Sequence, residues 1–265
     1  MWWLCAAHPP HPPTPTGSTH FVSGPIREPA DWGRLPDVSP TRGFLREQVE
    51  AVKILRSRLG ADTPIIQTIF SPLTMAAKLV GTADALERTI RENEGQLGGA
   101  LDRMASDVIA FGRACLDAGA DGFFFATQLA TRSALPTGVY ERLGIPFDRK
   151  VLDALRSGSW CTVLHRHGLD PMFDLADVYP VDAVNWHDRE TTPSLTEALQ
   201  RTRRALVAGI TRRGVIAQEK PEAAAAEVRD AIAQTEGRRI VVAPGCVIPT
   251  TAPAESMLAA RRAVE

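Results

Sequence analysis

A chain of 265 residues is long enough for one α/β domain with a sizeable core. Hydrophobic residues at 44% against 23% charged predict a soluble globular protein, and a net charge of −1 excludes bulk attraction to nucleic acid or membrane. Four irregularly spaced cysteines (5, 115, 161, 246) exclude a disulfide framework, and no apolar run reaches the roughly 18 residues of a spanning helix. Met1-Trp-Trp-Leu-Cys-Ala-Ala7 is too short for a signal sequence and lacks its basic start, so a cytoplasmic location is expected.

In chain order, residues 1–20 read as a disordered Pro/His-rich tail, followed by a barrel domain over 21–265. Phe21 to Pro40, with spaced prolines around Asp31-Trp32, reads as an extended segment packed on that body. Phe44, Val49, Val52, Ile54, Leu55 and Leu59 predict a helix from Gly43 that Gly60 stops. Strands and helices then alternate: a strand over Pro64–Phe70, a helix from Ser71 toward Leu79, and a long amphipathic helix over about Gly98–Ala118. Asp121–Ala126 is an apolar strand whose Asp121 reads as structural, and Thr127–Gly138 a polar loop. Helices over Tyr140–Leu143 and Phe147–Leu155 precede a strand from Cys161, a short helix over Met172–Val178 and a strand over Val181–Trp186. The last elements are a helix over Leu195–Arg204, strand Leu206–Ile210, helix Ala223–Gln234, strand Arg239–Ala243 and helix Pro253–Val264. This alternation predicts a parallel sheet with helices outside. Arg201-Thr-Arg-Arg204 and Thr211-Arg-Arg213 read as solvated faces or anion-binding points, and Arg212 or Arg213 as able to reach a carboxylated substrate.

The chemistry centres on Cys161-Thr-Val-Leu-His-Arg-His-Gly168. Alternation along a strand puts Cys161, Val163, His165 and His167 on one face, with the two imidazoles roughly 7 Å apart at the backbone. Gly168-Leu-Asp-Pro171 follows at once, so the pair sits at the strand's C-terminal end, where parallel α/β enzymes keep their sites. Cys246 falls just past the strand Arg239–Ala243. His165, His167 and Cys246 would supply three ligands and leave a fourth position open, the arrangement of a catalytic zinc site. The other reading makes both histidines ordinary hydrogen-bonded groups at a rim. Asn185, Trp186, His187 and Asp188 lie at the next strand exit and are expected to bind substrate or to orient a ligand, Trp186 otherwise serving as packing.

Several stretches together resemble the uroporphyrinogen decarboxylase superfamily: Phe70-Ser-Pro-Leu-Thr74 followed by Leu79-Val-Gly81, Leu164-His-Arg-His-Gly168, Val181-Asp-Ala-Val-Asn-Trp186, Ala208-Gly209, and Gly245-Cys-Val-Ile-Pro249 with Thr251-Ala-Pro-Ala-Glu255. The resemblance covers roughly Phe21 to Glu265 and implies a TIM-type (β/α)8 barrel with its site at the C-terminal mouth. About six strands are expected here, an incomplete barrel lacking the first two family strands. The arginine-rich segment and the second-strand aspartate of the decarboxylases have no counterpart in this chain. Where those enzymes read Gly-His-Gly, this chain reads Gly245-Cys246. The cobamide-dependent methyltransferase branch resembles it better, carrying a His-x-Cys…Cys zinc motif at these strand ends against His165-x-His167…Cys246 here.

The resemblance thus implies zinc-dependent methyl transfer from a corrinoid-type donor to a thiol, with a corrinoid protein as partner. The alternatives are metal-free decarboxylation of uroporphyrinogen or a related tetrapyrrole, and a truncated, non-catalytic chain. An open barrel edge is expected to favour a homodimer or another association.

Overall fold

The computed structural model describes residues 24–265, and the expected tail lies outside them. Two compact units result. The first takes in residues 24–127 and 138–162. It holds a 3-10 turn over Pro29–Arg34, α1 (Gly43–Leu59), β1 (Ile66–Phe70), α2 (Pro72–Val80), α3 (Ala83–Asp117), β2 (Gly122–Thr127), nearly all of α4 (Thr137–Leu143) and α5 (Ile145–Leu155).

Local chemistry sets the ends of these elements. Ser71 Oγ accepts the Thr74 N–H at 3.2 Å, Pro72 takes the first turn where no N–H is needed, and Gly81 closes α2 at φ +86°. β1 and β2 pair in parallel from Ile66↔Gly122 to Phe70↔Ala126. Ile69, Phe123 and Phe125 are buried, as the apolar runs predict. At Gly122 a Cβ would stand 1.9 Å from the Cys161 carbonyl oxygen, so no larger residue fits there. Asp121 accepts the Ile65 N–H at 2.6 Å and pairs with Arg56, a structural part at the strand entry.

Two elements differ from expectation. The long helix begins at Ala83 rather than Gly98, capped by the Thr82 side chain, and breaks its regular geometry at Asn93 (φ −143°, ψ 33°). Before Ala100 it buries only Leu86 and Leu97, so the apolar period is too sparse to read, and Gly95, Gly98 and Gly99 look like breakers. The segment around Trp32 is not extended. Asp31 accepts the N–H groups of Arg27 (2.9 Å) and Glu28 (3.0 Å), which curls it into the 3-10 turn and buries the indole.

The second unit takes in residues 128–137 and 163–265. It holds β3 (Cys161–Arg166) from Val163 onward, α6 (Leu175–Val178), β4 (Ala183–Trp186), α7 (Leu195–Arg201), β5 (Ala205–Ile210), α8 (Pro221–Thr235), β6 (Ile240–Pro244) and α9 (Ala254–Arg262). Its strands pair in parallel, with His165 beside Asn185, Asn185 beside Val207 and Gly209 beside Ala243. Phe173, Val184, Trp186, Leu195, Leu206 and Ala208 form one core; Ile210, Ile216, Ala224, Val228 and Ala260 form another under α8 and α9. Each crossover between successive strands here returns the chain to the start of the next one, so every strand exit falls at the same end.

The fold is α/β with six parallel strands, an incomplete barrel of TIM type, as expected. Among the described residues β1 pairs only with β2, and β6 only with β5. No helix of the described residues is long and apolar enough to cross a membrane.

Candidate metal centre

Three strand exits of the second unit converge. β3 delivers His165 and, one residue past its end, His167; β4 delivers His187; β6 delivers Cys246. Each of the four side chains offers one donor atom, and those atoms lie within 4.8 Å of one another. The ring centroids of His167 and His187 are 4.9 Å apart, those of His165 and His167 5.8 Å, and Cys246 Sγ lies 3.7 Å from His167 Nδ1. Cys161 is not among this group.

Neighbouring residues set the tautomers. Asn185 donates its amide N–H groups to the backbone oxygens of Val207 (2.5 Å) and Pro244 (3.1 Å), which orients its Oδ1 toward His165. His165 Nδ1, 2.5 Å away, must then carry the proton, and Nε2 keeps the lone pair a metal needs. His187 follows the same logic more loosely. Its Nδ1 stands 3.8 Å from Glu190 Oε2, and its Nε2 is buried with no hydrogen-bond partner. An orphaned buried imidazole nitrogen is costly unless something accepts its lone pair.

Gly245 makes the approach of Cys246 feasible. A Cβ at this position would lie 2.6 Å from the Trp186 carbonyl oxygen and 2.8 Å from His187 Cα. Without one, the β6 exit packs directly on the backbone of the β4 exit.

Burial and neighbouring charges keep the rings of His165 and His187 neutral. Burial pushes His165 down to about 3, against the favourable hydrogen bond that it donates to Asn185, and the nearby His167, His187 and Arg166 act in the same sense as burial. His187 falls to about 4, chiefly through burial and then through Arg212 and His167, with Glu190 opposing. Neutral imidazole is the ligating form. In the metal-free protein, ring NMR signals of His165 and His187 are therefore expected to stay neutral from pH 8 to pH 5, where an ordinary histidine titrates near 6.5. A midpoint near 6.5 for either ring would refute this. The linkage has a definite sign. The unfolded chain binds more protons than the folded one below about 6.5, so these two rings withdraw stability as pH falls from there toward 3–4. Asp188, raised by burial to about 6, acts oppositely as pH falls from about 6 toward 3.8, because its folded form takes up the proton first.

The other expected site residues are placed as follows. Asn185 holds His165. His187, expected to bind substrate or orient a ligand, brings its own ring into the donor group. Trp186 is fully buried in the core, donating Nε1–H to the Pro193 oxygen at 2.8 Å and meeting Phe173 edge-on at 5.0 Å. It does not wall a cavity, because alternation sends it to the helix side of β4 while Asn185 and His187 take the other. Asp188 accepts the Gly209 N–H at 3.1 Å and pairs with Arg189 at 3.4 Å, tying the β4 exit to β5. Arg212 pairs with Glu190 at 3.2 Å, behind His187. Glu190 was not singled out from the sequence, although its place three residues after His187 was the available signal.

The family described as Uroporphyrinogen decarboxylase (URO-D) matches residues 14–265. The methylcobamide:CoM methyltransferase MtbA of Methanosarcina mazei is 27% identical over 135 residues, 51% of this chain and 39% of that protein. The methylcobamide:CoM methyltransferase MtaA of Methanosarcina barkeri is 27% identical over 241 residues, 90% of this chain and 68% of that one. The matches thus span from about two-fifths to about two-thirds of these relatives' own lengths. Among solved structures, a methyltransferase from Methanosarcina mazei superposes with a TM-score of 0.79 at 23% identity, covering 93% of this chain and 70% of that one. A B12-independent methionine synthase from Shewanella sp. W3-18-1 gives 0.58 at 14% identity, covering 82% and 66%. At these identities the structural likeness is one of fold.

Proposed function

The chain belongs to the uroporphyrinogen decarboxylase family, and from that premise we propose that it catalyses zinc-dependent methyl transfer from a corrinoid-type donor to a thiol. The observation that carries this reading is the convergence of His165, His167, His187 and Cys246, with donor atoms within 4.8 Å of one another. A decarboxylation needs no such donor set. Curated relatives named as methylcobamide methyltransferases support the same reading.

The donor set fits zinc, which takes imidazole nitrogen and thiolate sulfur in a tetrahedron. When bound, such an ion supplies Lewis acidity that lowers the pKa of an incoming thiol. The residues have separable tasks. His165, clamped through Asn185 to two neighbouring strands, and Cys246, seated by Gly245, would hold the ion together with His167. His187, whose Nδ1 is oriented by a looser 3.8 Å contact to Glu190, would be the weakest-held of the four donors. In the overall reaction the thiol loses its proton, its sulfur forms the new S–CH3 bond, and the cobalt–carbon electron pair stays with the corrinoid. A corrinoid protein is the implied partner. The edge of β6, where Val241 is 58% exposed, is the surface proposed for association.

The test is metal analysis of the purified protein, followed by incubation with methylcobalamin and 2-mercaptoethanol. One zinc per chain and thiol-dependent loss of methylcobalamin absorbance are expected. Metal-free protein that instead releases carbon dioxide from uroporphyrinogen would overturn the reading in favour of decarboxylation.

A further inference from the structure

The second unit carries another concavity, at the opposite ends of its strands. A cleft of about 960 Å³ is lined by the end of α7 and the starts of β5 and β6. Arg201, Arg203 and Arg204 come from one short stretch, and Arg239 joins them from the far side of α8 in sequence. Arg239 and Cys246 bracket β6, about 20 Å apart along the strand direction. Among the described residues no lysine lines the cleft, and Asp177 is the one acidic residue lining it. Asp174, beside it, pairs with Arg201 at 2.5 Å. Even counting both carboxylates, two positive charges remain in excess, in a chain whose net charge is −1.

Two of these guanidinium groups are already fixed in place. Arg239 donates to the backbone oxygens of Thr202 (2.7 Å) and Leu199 (2.9 Å), covering the carbonyl end of α7 that would otherwise repel an anion. Arg204 donates to those of Ala176 (3.2 Å) and Tyr179 (3.3 Å). Each uses two of its five N–H groups and keeps three. The backbone of Arg239 holds φ +53°, a left-handed conformation disfavoured for a residue with a Cβ. Immobilised planar forks, in excess over acids and around a cleft of ligand size, are the arrangement that recognises phosphate oxygens bidentately. A monoanion would leave part of this excess uncompensated, whereas a diphosphate, with two or more negative charges, compensates all of it and offers two phosphoryl groups to the several forks.

We propose that this cleft is a binding site for a small ligand bearing a diphosphate group, separate from the donor cluster. Neither the proposed zinc site nor its substrate is needed for it. A free diphosphate and a nucleoside diphosphate share the recognised chemistry.

The test is calorimetric titration of the full chain in 150 mM salt, with inorganic pyrophosphate in one arm and ADP in the other. Saturable one-to-one binding of pyrophosphate is expected. Equal affinity in both arms identifies the diphosphate alone as the ligand, and tighter ADP binding identifies a nucleotide. Arg203→Glu, at an exposed residue, is expected to weaken binding by about tenfold or more. Arg229→Glu, on the exposed face of α8, should change nothing, as should the zinc content of either variant. Heat that persists unchanged in Arg203→Glu would come from elsewhere, including chelation of the metal, and would overturn the proposal. So would the absence of saturable binding up to about 1 mM, or a single-stranded DNA oligomer that competes as well as pyrophosphate.

Discussion

Cys246→Ser is expected to abolish stoichiometric zinc while leaving the melting temperature of the metal-free protein unchanged. The thiolate is the anionic donor of the four, and a serine hydroxyl is not ionised at neutral pH. Disturbing an outer partner of a ligand costs about 10–100-fold in metal affinity, so removing the ligand itself should cost on the order of 100-fold or more. Cys246 is only half-buried, and its loss should move the fold itself by no more than about 0.5 kcal/mol. Cys161→Ser serves as the contrast. That thiol lies outside the donor group, so its replacement should leave zinc at one per chain. His187→Ala should weaken binding less than Cys246→Ser, because the anionic sulfur donor remains. Cobalt substitution gives an independent reading: the sulfur-to-metal charge-transfer band should vanish in Cys246→Ser and persist in both other variants. Equal zinc content in wild type and Cys246→Ser would remove the basis of the proposed site.

The second large effect is on stability. Trp186→Ala is expected to cost about 3–5 kcal/mol, the range for deleting a large buried aromatic side chain. The indole is wholly inaccessible, surrounded by Phe173, Val184, Leu195 and Leu206, and its N–H donates to Pro193. Deletion leaves a cavity that the strands on either side of β4 cannot close, and orphans the Pro193 carbonyl. For a chain of this length the loss corresponds to a fall in Tm of about 6–20 °C. Urea unfolding of the metal-free variant measures it directly. A near-native midpoint with weakened substrate binding would instead place Trp186 in the wall of the site.

Which features were legible in advance follows from the range of the physics involved. Strand and helix order, the exits bearing His165, His167 and Cys246, and the parallel α/β class are all local in origin. They rest on apolar periodicity, glycine and proline punctuation, and side chains fixed to one face by alternation. Where periodicity was sparse, as in the first turns of α3, the sequence offered no edge to read. The side of β4 on which Trp186 lies is set by the same alternation, but assigning that side to core or mouth required knowing where the helices pack.

Convergence is the part that only the tertiary structure decided. The sequence does not say that His187 joins the imidazoles, that Asn185 spans β4 to β5 and β6 to fix the tautomer of His165, or that Gly245 packs on the β4 backbone. Nor does it say that Arg239 meets three arginines 35 and more residues away. Such meetings depend on strand register and on the shared direction of parallel strands, which add up over the whole sheet and leave no mark at any single position.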